Sequence, residues 1–287
     1  MGTKIEWTNA TWNIITGCDK YSEGCTNCYA ERMHKRLRAM GQEKYNHDFR
    51  FVYFHEEELK RTFGKQKKMV FVNSMSDTFH KHIDDDAIYK ILQACYDNKP
   101  HIFQILTKRA ERVVYFNYPD NVWLGVTVEH PKYKKRIYYL KETDAKVKFL
   151  SCEPLLGDLG ELDLTGIDWV IVGGESGPNA RPMHAEWIYN ILHQCNEQKV
   201  PFFFKQWGEW MDGSCGCKNP ERIMLLNGDL IDYTKEAIDE YIKYFHLTGS
   251  DYQRLKPRVV SKVGKKKAGS MINGEQYKEY PRRFYGQ

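Results

Sequence analysis

Seven short runs of apolar, often β-branched residues recur along the chain, and each ends in polar or glycine-rich residues. They are "TWNIITG" (11–17), "MVFVNSMSD" (69–77), "HIFQILTKR" (101–109), "VWLGVTVEH" (122–130), "VKFLSCEP" (147–154), "DWVIVGGESG" (168–177) and "PFFFKQWG" (201–208). Between them, stretches near 27–40, 84–97, 109–116, 131–142 and 184–198 carry helical periodicity. Strands that alternate with helices predict βαβ units around a parallel sheet, in an α/β protein. The strand ends then choose between two architectures. Nearly every run finishes in hydrogen-bonding or reactive groups, and a barrel brings such ends together on one face. An open sheet would concentrate its chemistry at one switch point. The pattern therefore predicts a partial (β/α) barrel over residues 1–207.

From about Trp207 the alternation stops. Residues 208–287 read as a C-terminal extension: a turn-rich piece, a hairpin in "RIMLLNGDLIDYT" with Asn227-Gly228 at its turn, and a basic tail. Residues 41–68 read as an insertion after the first helix, suited to a lid or to substrate contacts. The formal charge of +5 is uneven, because residues 251–287 hold 10 Lys and Arg against 3 Asp and Glu, leaving 33 against 35 elsewhere. A basic tail with Tyr and Phe between its charges suits nucleic-acid phosphates and bases, and a solvated terminus suits it equally.

At 287 residues the chain is long enough to bury a sizeable core. No run approaches the roughly 18 apolar residues of a membrane span, and "MGTKIEWTNATWN" lacks the basic and apolar regions of a signal peptide. Glu6 also spoils a myristoylation pattern. The expectation is a cytoplasmic protein with reduced thiols, its eight cysteines being buried hydrophobes or metal ligands. Cys95 and Cys195 fall in amphipathic helical stretches, and Cys152 at a strand end reads as a buried thiol before it reads as a hydrogen donor. Cys215 and Cys217 form a C-x-C with no second ligand pair nearby.

Three further cysteines, in "TGCDKYSEGCTNCYAERM" (16–33), carry the chemistry. Cys18 ends the first strand and Cys28 starts the first helix, with Cys25 between. Zinc wants four ligands, and the nearest extra candidate, His34, faces away from the first helical turn. A [4Fe–4S] cluster on three thiolates would leave one iron open, at a helix N-terminus that favours negative charge. Spacing alone leaves both open: the cluster, or a zinc site completed by a distant residue.

These motifs, in order, resemble those of the phage-associated three-cysteine radical-SAM-like proteins: "TWNIITGC", the Cys18, Cys25, Cys28 spacing, "YAERM", "SMSDTFH", "LTKR", "GVTVE", "SCEPLLG" and "VGGESG". The resemblance runs from about Ile5 to Trp210 and recurs weakly in "KKKAGSMINGEQYKEYP". It implies a radical-SAM-type partial barrel with a [4Fe–4S] cluster on Cys18, Cys25 and Cys28. The open iron would chelate S-adenosylmethionine. An electron from an external donor would cleave that cofactor to methionine and a 5′-deoxyadenosyl radical, which abstracts a substrate hydrogen. The first two cysteines stand three residues further apart than in the usual C-x3-C-x2-C, which bears on cluster geometry. The Gly-Gly-Glu of "VGGESG" follows the sixth run and not the second, so it is not equated with the usual S-adenosylmethionine contact.

Roles follow from strand position. Ser74 and Ser76 would contact the methionine amino group, with Asp77 as a charged partner; Thr127 and Glu129 would reach the ribose or the methionine carboxylate. Gly173 and Gly174 would let backbone approach adenine. Lys108, Arg109, Glu153, Glu175 and Lys205 would line the substrate side, although each is also at home as a barrel-end salt bridge. Tyr29 would shield the cluster or simply fill the core. The resemblance further implies a DNA substrate in phage-infected host cytoplasm, with isomerisation of a glycyl group on the methyl carbon of a modified thymine. Two other classes remain: a radical-SAM enzyme for a peptide, tRNA base or metabolite, and a zinc-stabilised nucleic-acid-binding module without catalysis.

Overall fold

In the computed structural model, residue 3, residues 5–213 and residues 221–282 are described. Cys215 and Cys217 lie outside them. The seven runs form seven strands: β1 (Ala10–Trp12), β2 (Met69–Val72), β3 (Ile102–Thr107), β4 (Val122–Thr127), β5 (Val147–Cys152), β6 (Trp169–Gly173) and β7 (Phe202–Gln206). They pair in chain order, every neighbour parallel, as a curled half-barrel sheet. Helices α1 (Tyr29–Ala39), α2 (Asp85–Asp97), α3 (Lys135–Lys141) and α4 (Ala185–Glu197) follow β1, β2, β4 and β6. A 3-10 stretch, Ala110–Tyr115, stands in the helix position after β3. Between β5 and β6 the chain runs as a loop without a helix, and the side chains of Gln194 on α4 and of Gln198 at its C-cap satisfy its backbone at Leu162 and Leu164.

Two apolar layers hold the sheet. Outward residues such as Val70, Ile105, Leu124, Leu150 and Val172 pack under the helices, together with Cys95, Cys152 and Cys195. Inward residues build an aromatic interior from Trp7, Trp123, Phe149, Trp169 and Phe203. The glycine in "VWLGVTVE" belongs to this interior, since a Cβ on Gly125 would lie 2.4 Å from the Phe149 ring. The ring of β5 thus lies across β4, and only glycine leaves it room.

The C-terminal extension packs on the barrel. Strands β8 (Trp210–Asp212), β9 (Arg222–Met224), β10 (Leu230–Asp232) and β11 (Arg258–Lys262) form an antiparallel sheet in the order β8-β11-β9-β10, and β9–β10 is the Asn227-Gly228 hairpin. The basic tail, which by composition suits nucleic acid or a solvated terminus equally, returns to the barrel in part. Lys278 bridges antiparallel to Phe203 on the edge strand β7, its ammonium meets the Glu6 carboxylate at 2.8 Å, and Trp169 Nε1 donates to the Glu279 carbonyl at 2.8 Å. Arg258 and Lys256 pair with Glu186. Among the described residues no helix is long and apolar enough to cross a membrane.

The insertion after α1 packs back on the start of the cysteine segment. Its Tyr53–Phe54 pairs with Ile15–Thr16, and the Phe49 carbonyl accepts from the Cys18 amide at 2.7 Å. Gly17 turns with φ +85° where a Cβ would lie 1.9 Å from the Phe51 carbonyl oxygen, so the residue before Cys18 has to be glycine.

Candidate active site

Residues 18–28 cross the C-terminal mouth of the barrel and are clasped from several strands. Asp19 meets Arg109 after β3 and His80 after β2, the latter at 3.0 Å. The Tyr21 ring faces the guanidinium groups of Arg109 and Arg136 at 4.8 and 5.5 Å, and its hydroxyl donates to Glu111 at 3.1 Å. Ser22 donates to Glu129 after β4, and Glu23 is held by Lys132 and Tyr133. Asn27 donates to Glu175 after β6 at 3.0 Å. The helix that follows begins at Cys28, its N-cap residue.

Beneath this segment lies a cavity of about 480 Å³, lined by Cys18, Cys25 and Cys28 and floored by Trp7, Phe71 and Leu106. Burial pushes the Cys18 thiol up to about 12, Asp77 adds to this, and Arg109, whose Nη1 lies 3.8 Å from Cys18 Sγ, opposes it. Burial also raises Cys28, against the pull of the Glu31 and Ala30 amides at the open helix turn and of Lys108. The neighbouring thiols raise both as well, so the three sulfurs share one field. A cationic centre would reverse these tendencies and draw thiolates from all three.

The donor set bears on what the cavity could hold. Thiolates on one tetrahedral zinc stand about 3.8 Å apart, given Zn–S bonds of about 2.3 Å. Cys18, Cys25 and Cys28 do not all fall within 4.8 Å of one another; among the described residues the only trio that does is Cys18, Asp19 and His80. That trio is poorly suited to a cation, because the Arg109 guanidinium sits in it, bonded to Asp19 and facing Cys18. Three thiols on one cavity wall supply the donors that a multi-iron cluster, with one iron for each thiolate, would need. His34 is buried and bonds the His47 carbonyl at 2.8 Å, away from the thiols.

The strand-end residues divide. Ser74, Ser76, Thr127, Lys108, Arg109, Glu153, Lys205 and Gly174 line the cavity, as do Asp77 and Glu175. Ser74 donates to Asn13 Oδ1 at 3.0 Å and Ser76 to the Gly17 carbonyl, so each keeps lone pairs for a cavity ligand. Asp77 is already committed: it accepts from Thr107 Oγ1 (2.7 Å), the Phe79 and Lys108 amides (2.9 and 3.1 Å) and Arg109 (3.3 Å). Glu175 likewise takes three bonds of 2.7 to 2.9 Å from Arg181. Burial raises its carboxyl, but the bonds from Arg181 and Asn27 outweigh that and hold it below the usual range.

Two positions depart from the sequence expectation of cofactor contact. Glu129 is fully buried off the cavity and pairs with Arg136 at 2.8 Å, tying down Ser22 instead of reaching a ribose. Gly173 is also off the cavity lining, and the space a Cβ would need belongs to the Glu153 carboxylate at 2.7 Å. At Gly174 the Trp207 carbonyl oxygen comes within 1.9 Å of where a Cβ would be, so that glycine serves chain packing. Cys152 lies in the layer under the helices and does not line the cavity. Sequence reasoning missed Asn27, Arg136 and Arg181, which clasp the segment, and Lys265, which lines the cavity. Asn27 had a signal, standing between two of the cysteines; the two arginines had none.

No curated protein and no solved structure matches the chain. A family model does match, over residues 2–281, and the chain belongs to that family, DUF5131, described as a protein of unknown function.

Proposed function

We propose that this chain is a radical-SAM enzyme whose cavity at the barrel mouth holds a [4Fe–4S] cluster and S-adenosylmethionine and takes a modified thymine of DNA as substrate. One observation carries the reading: the three thiols Cys18, Cys25 and Cys28 line a single cavity at the barrel mouth. When bound and reduced by an external donor, the cluster and S-adenosylmethionine supply homolytic C–S cleavage and thereby hydrogen abstraction.

The chain's own residues do the rest. Cys18, Cys25 and Cys28 would hold the cluster, and Arg109 faces Cys18 Sγ with a permanent positive charge. The hydroxyls of Ser74 and Ser76 accept from an ammonium group. Trp7, Phe71 and Leu106 offer an apolar floor to a flat ring and keep water from it. Tyr29, on the cavity and half-exposed, is placed to stack a base. Drawing a thymine out of a duplex costs a few kcal/mol, which stacking and the cations of the mouth would offset. On this substrate the reaction follows the resemblance: a glycyl group on the thymine methyl carbon exchanges attachment at nitrogen for attachment at its α-carbon, an isomerisation that adds and removes no atoms.

The test is anaerobic. Protein reconstituted with iron and sulfide should turn brown and convert S-adenosylmethionine to 5′-deoxyadenosine with dithionite, and Cys28→Ala should abolish both. A colourless protein with stoichiometric zinc and no turnover would overturn the enzyme reading in favour of a binding module.

A further inference from the structure

The wall of the cavity built from β5, β7 and the short turn Lys265–Ala268 carries unbalanced charge. Lys205 Nζ meets Glu153 Oε1 at 2.8 Å, while Ser151 donates to the other carboxylate oxygen at 3.3 Å. The bare face of Gly173 lets that carboxylate seat itself there. Lys265 lines the same cavity, and its ammonium has no carboxylate within 4.0 Å among the described residues. Burial lowers its affinity for a proton and the neighbouring Lys205 lowers it further, against the weaker opposing pull of Glu6, Glu153 and Glu209. Lys108 lines the cavity too, with its ammonium equally unpaired. The remaining charged groups on the lining are engaged elsewhere: Arg109 pairs with Asp77 and Asp19, Glu175 with Arg181, and Arg32 donates to the Ser176 carbonyl. On the lining itself Lys108, Lys205 and Lys265 stand with one carboxylate, Glu153, while Glu6 and Glu209 act on Lys265 from outside it, and like charges crowded into a recess invite an anion.

We infer that Lys205 and Lys265, with Lys108 across the cavity, form a subsite for an anionic group on the substrate, a carboxylate or a phosphate. Glu153 holds Lys205 in place, and Lys265, unpaired, supplies the charge the anion neutralises. The inference rests on the reading that this cavity is the substrate site; it does not depend on the cluster, so it is tested on iron-free protein.

Three probes separate the sources of charge: uncharged thymidine, thymidine 5′-monophosphate, and 5-carboxymethyl-2′-deoxyuridine, whose carboxylate sits on the base. By calorimetry at low salt, one anionic probe should bind about tenfold more tightly than thymidine, and Lys265→Gln should remove most of that preference. Preference for the monophosphate assigns the subsite to a backbone phosphate; preference for the carboxymethyl probe assigns it to the base. The double variant Glu153→Gln/Lys205→Gln, which strands no charge, should also lose the preference while melting near the parent. Equal binding of all three probes, no binding of any, or a preference that survives both variants would overturn the subsite. A brown, turnover-competent protein with no anion preference keeps the enzyme reading and loses this one; a zinc-loaded protein that retains the preference does the reverse.

Discussion

Glu129 and Glu153 follow adjacent strands, two residues past β4 and one past β5, and each carries an ion pair of 2.8 Å. Their surroundings differ. Glu129 is closed in on Arg136 and Ser22 and sees no cavity, whereas Glu153 lies on the cavity wall with Lys205 and Ser151. The division holds around the mouth: Asp77, Glu129 and Glu175 hold the cysteine segment or its neighbours, while Lys108, Glu153 and Lys205 face open space. A charged residue at a strand end is therefore ambiguous by itself. What decides its role is whether a loop already occupies the space above it.

The comparison is broken most severely at Glu129. Glu129→Ala leaves the Arg136 guanidinium buried without its carboxylate, a loss of about 3–5 kcal/mol. Denaturant unfolding should show a midpoint displaced accordingly, and reconstituted protein should hold less iron because Ser22 has lost its anchor. An unchanged midpoint would mean that the clasp does not carry the segment.

Glu175 tests the same side more gently. Its folded carboxyl titrates below its ordinary value of 4.5, so the unfolded chain binds that proton more readily. The contribution is present above that value and is lost as pH falls through the depressed one. Glu175→Gln should cost about 1–3 kcal/mol at pH 7 and give a flatter stability curve below pH 5 than the parent. Parallel curves would contradict the assigned clasp.

The smallest effect is expected on the open side. Lys265→Gln, with no ion partner to strand, should change stability by less than about 0.5 kcal/mol in thermal melts. A larger fall would move Lys265 from the cavity-facing group to the structural one.

Much of the barrel was legible because parallel strands buried on both faces read as apolar runs, and β4 is buried at every position. The mouth was legible because runs that end in polar groups converge there. The clasp was not. Arg136 sits on a helix, and only the curl of the sheet brings it under Ser22; Arg181 follows a glycine-rich turn whose direction no local pattern gives. In the tail one of the basic residues, Lys278, is spent on Glu6 and on backbone carbonyls of the edge strand, a docking that composition alone does not reveal.

The bond between Glu6 and Lys278 spans 272 residues of sequence. A chain with such a seam folds as a race between local and distant contacts: β1 to β7 can pair in order as they form, but the edge strand waits for residues that come last. A late-forming seam lowers the rate of unfolding without raising the rate of folding. For Lys278→Met that means an unfolding limb shifted upward in a chevron plot over an unshifted folding limb, and a life in the cell limited by how often the last stave of the barrel slips.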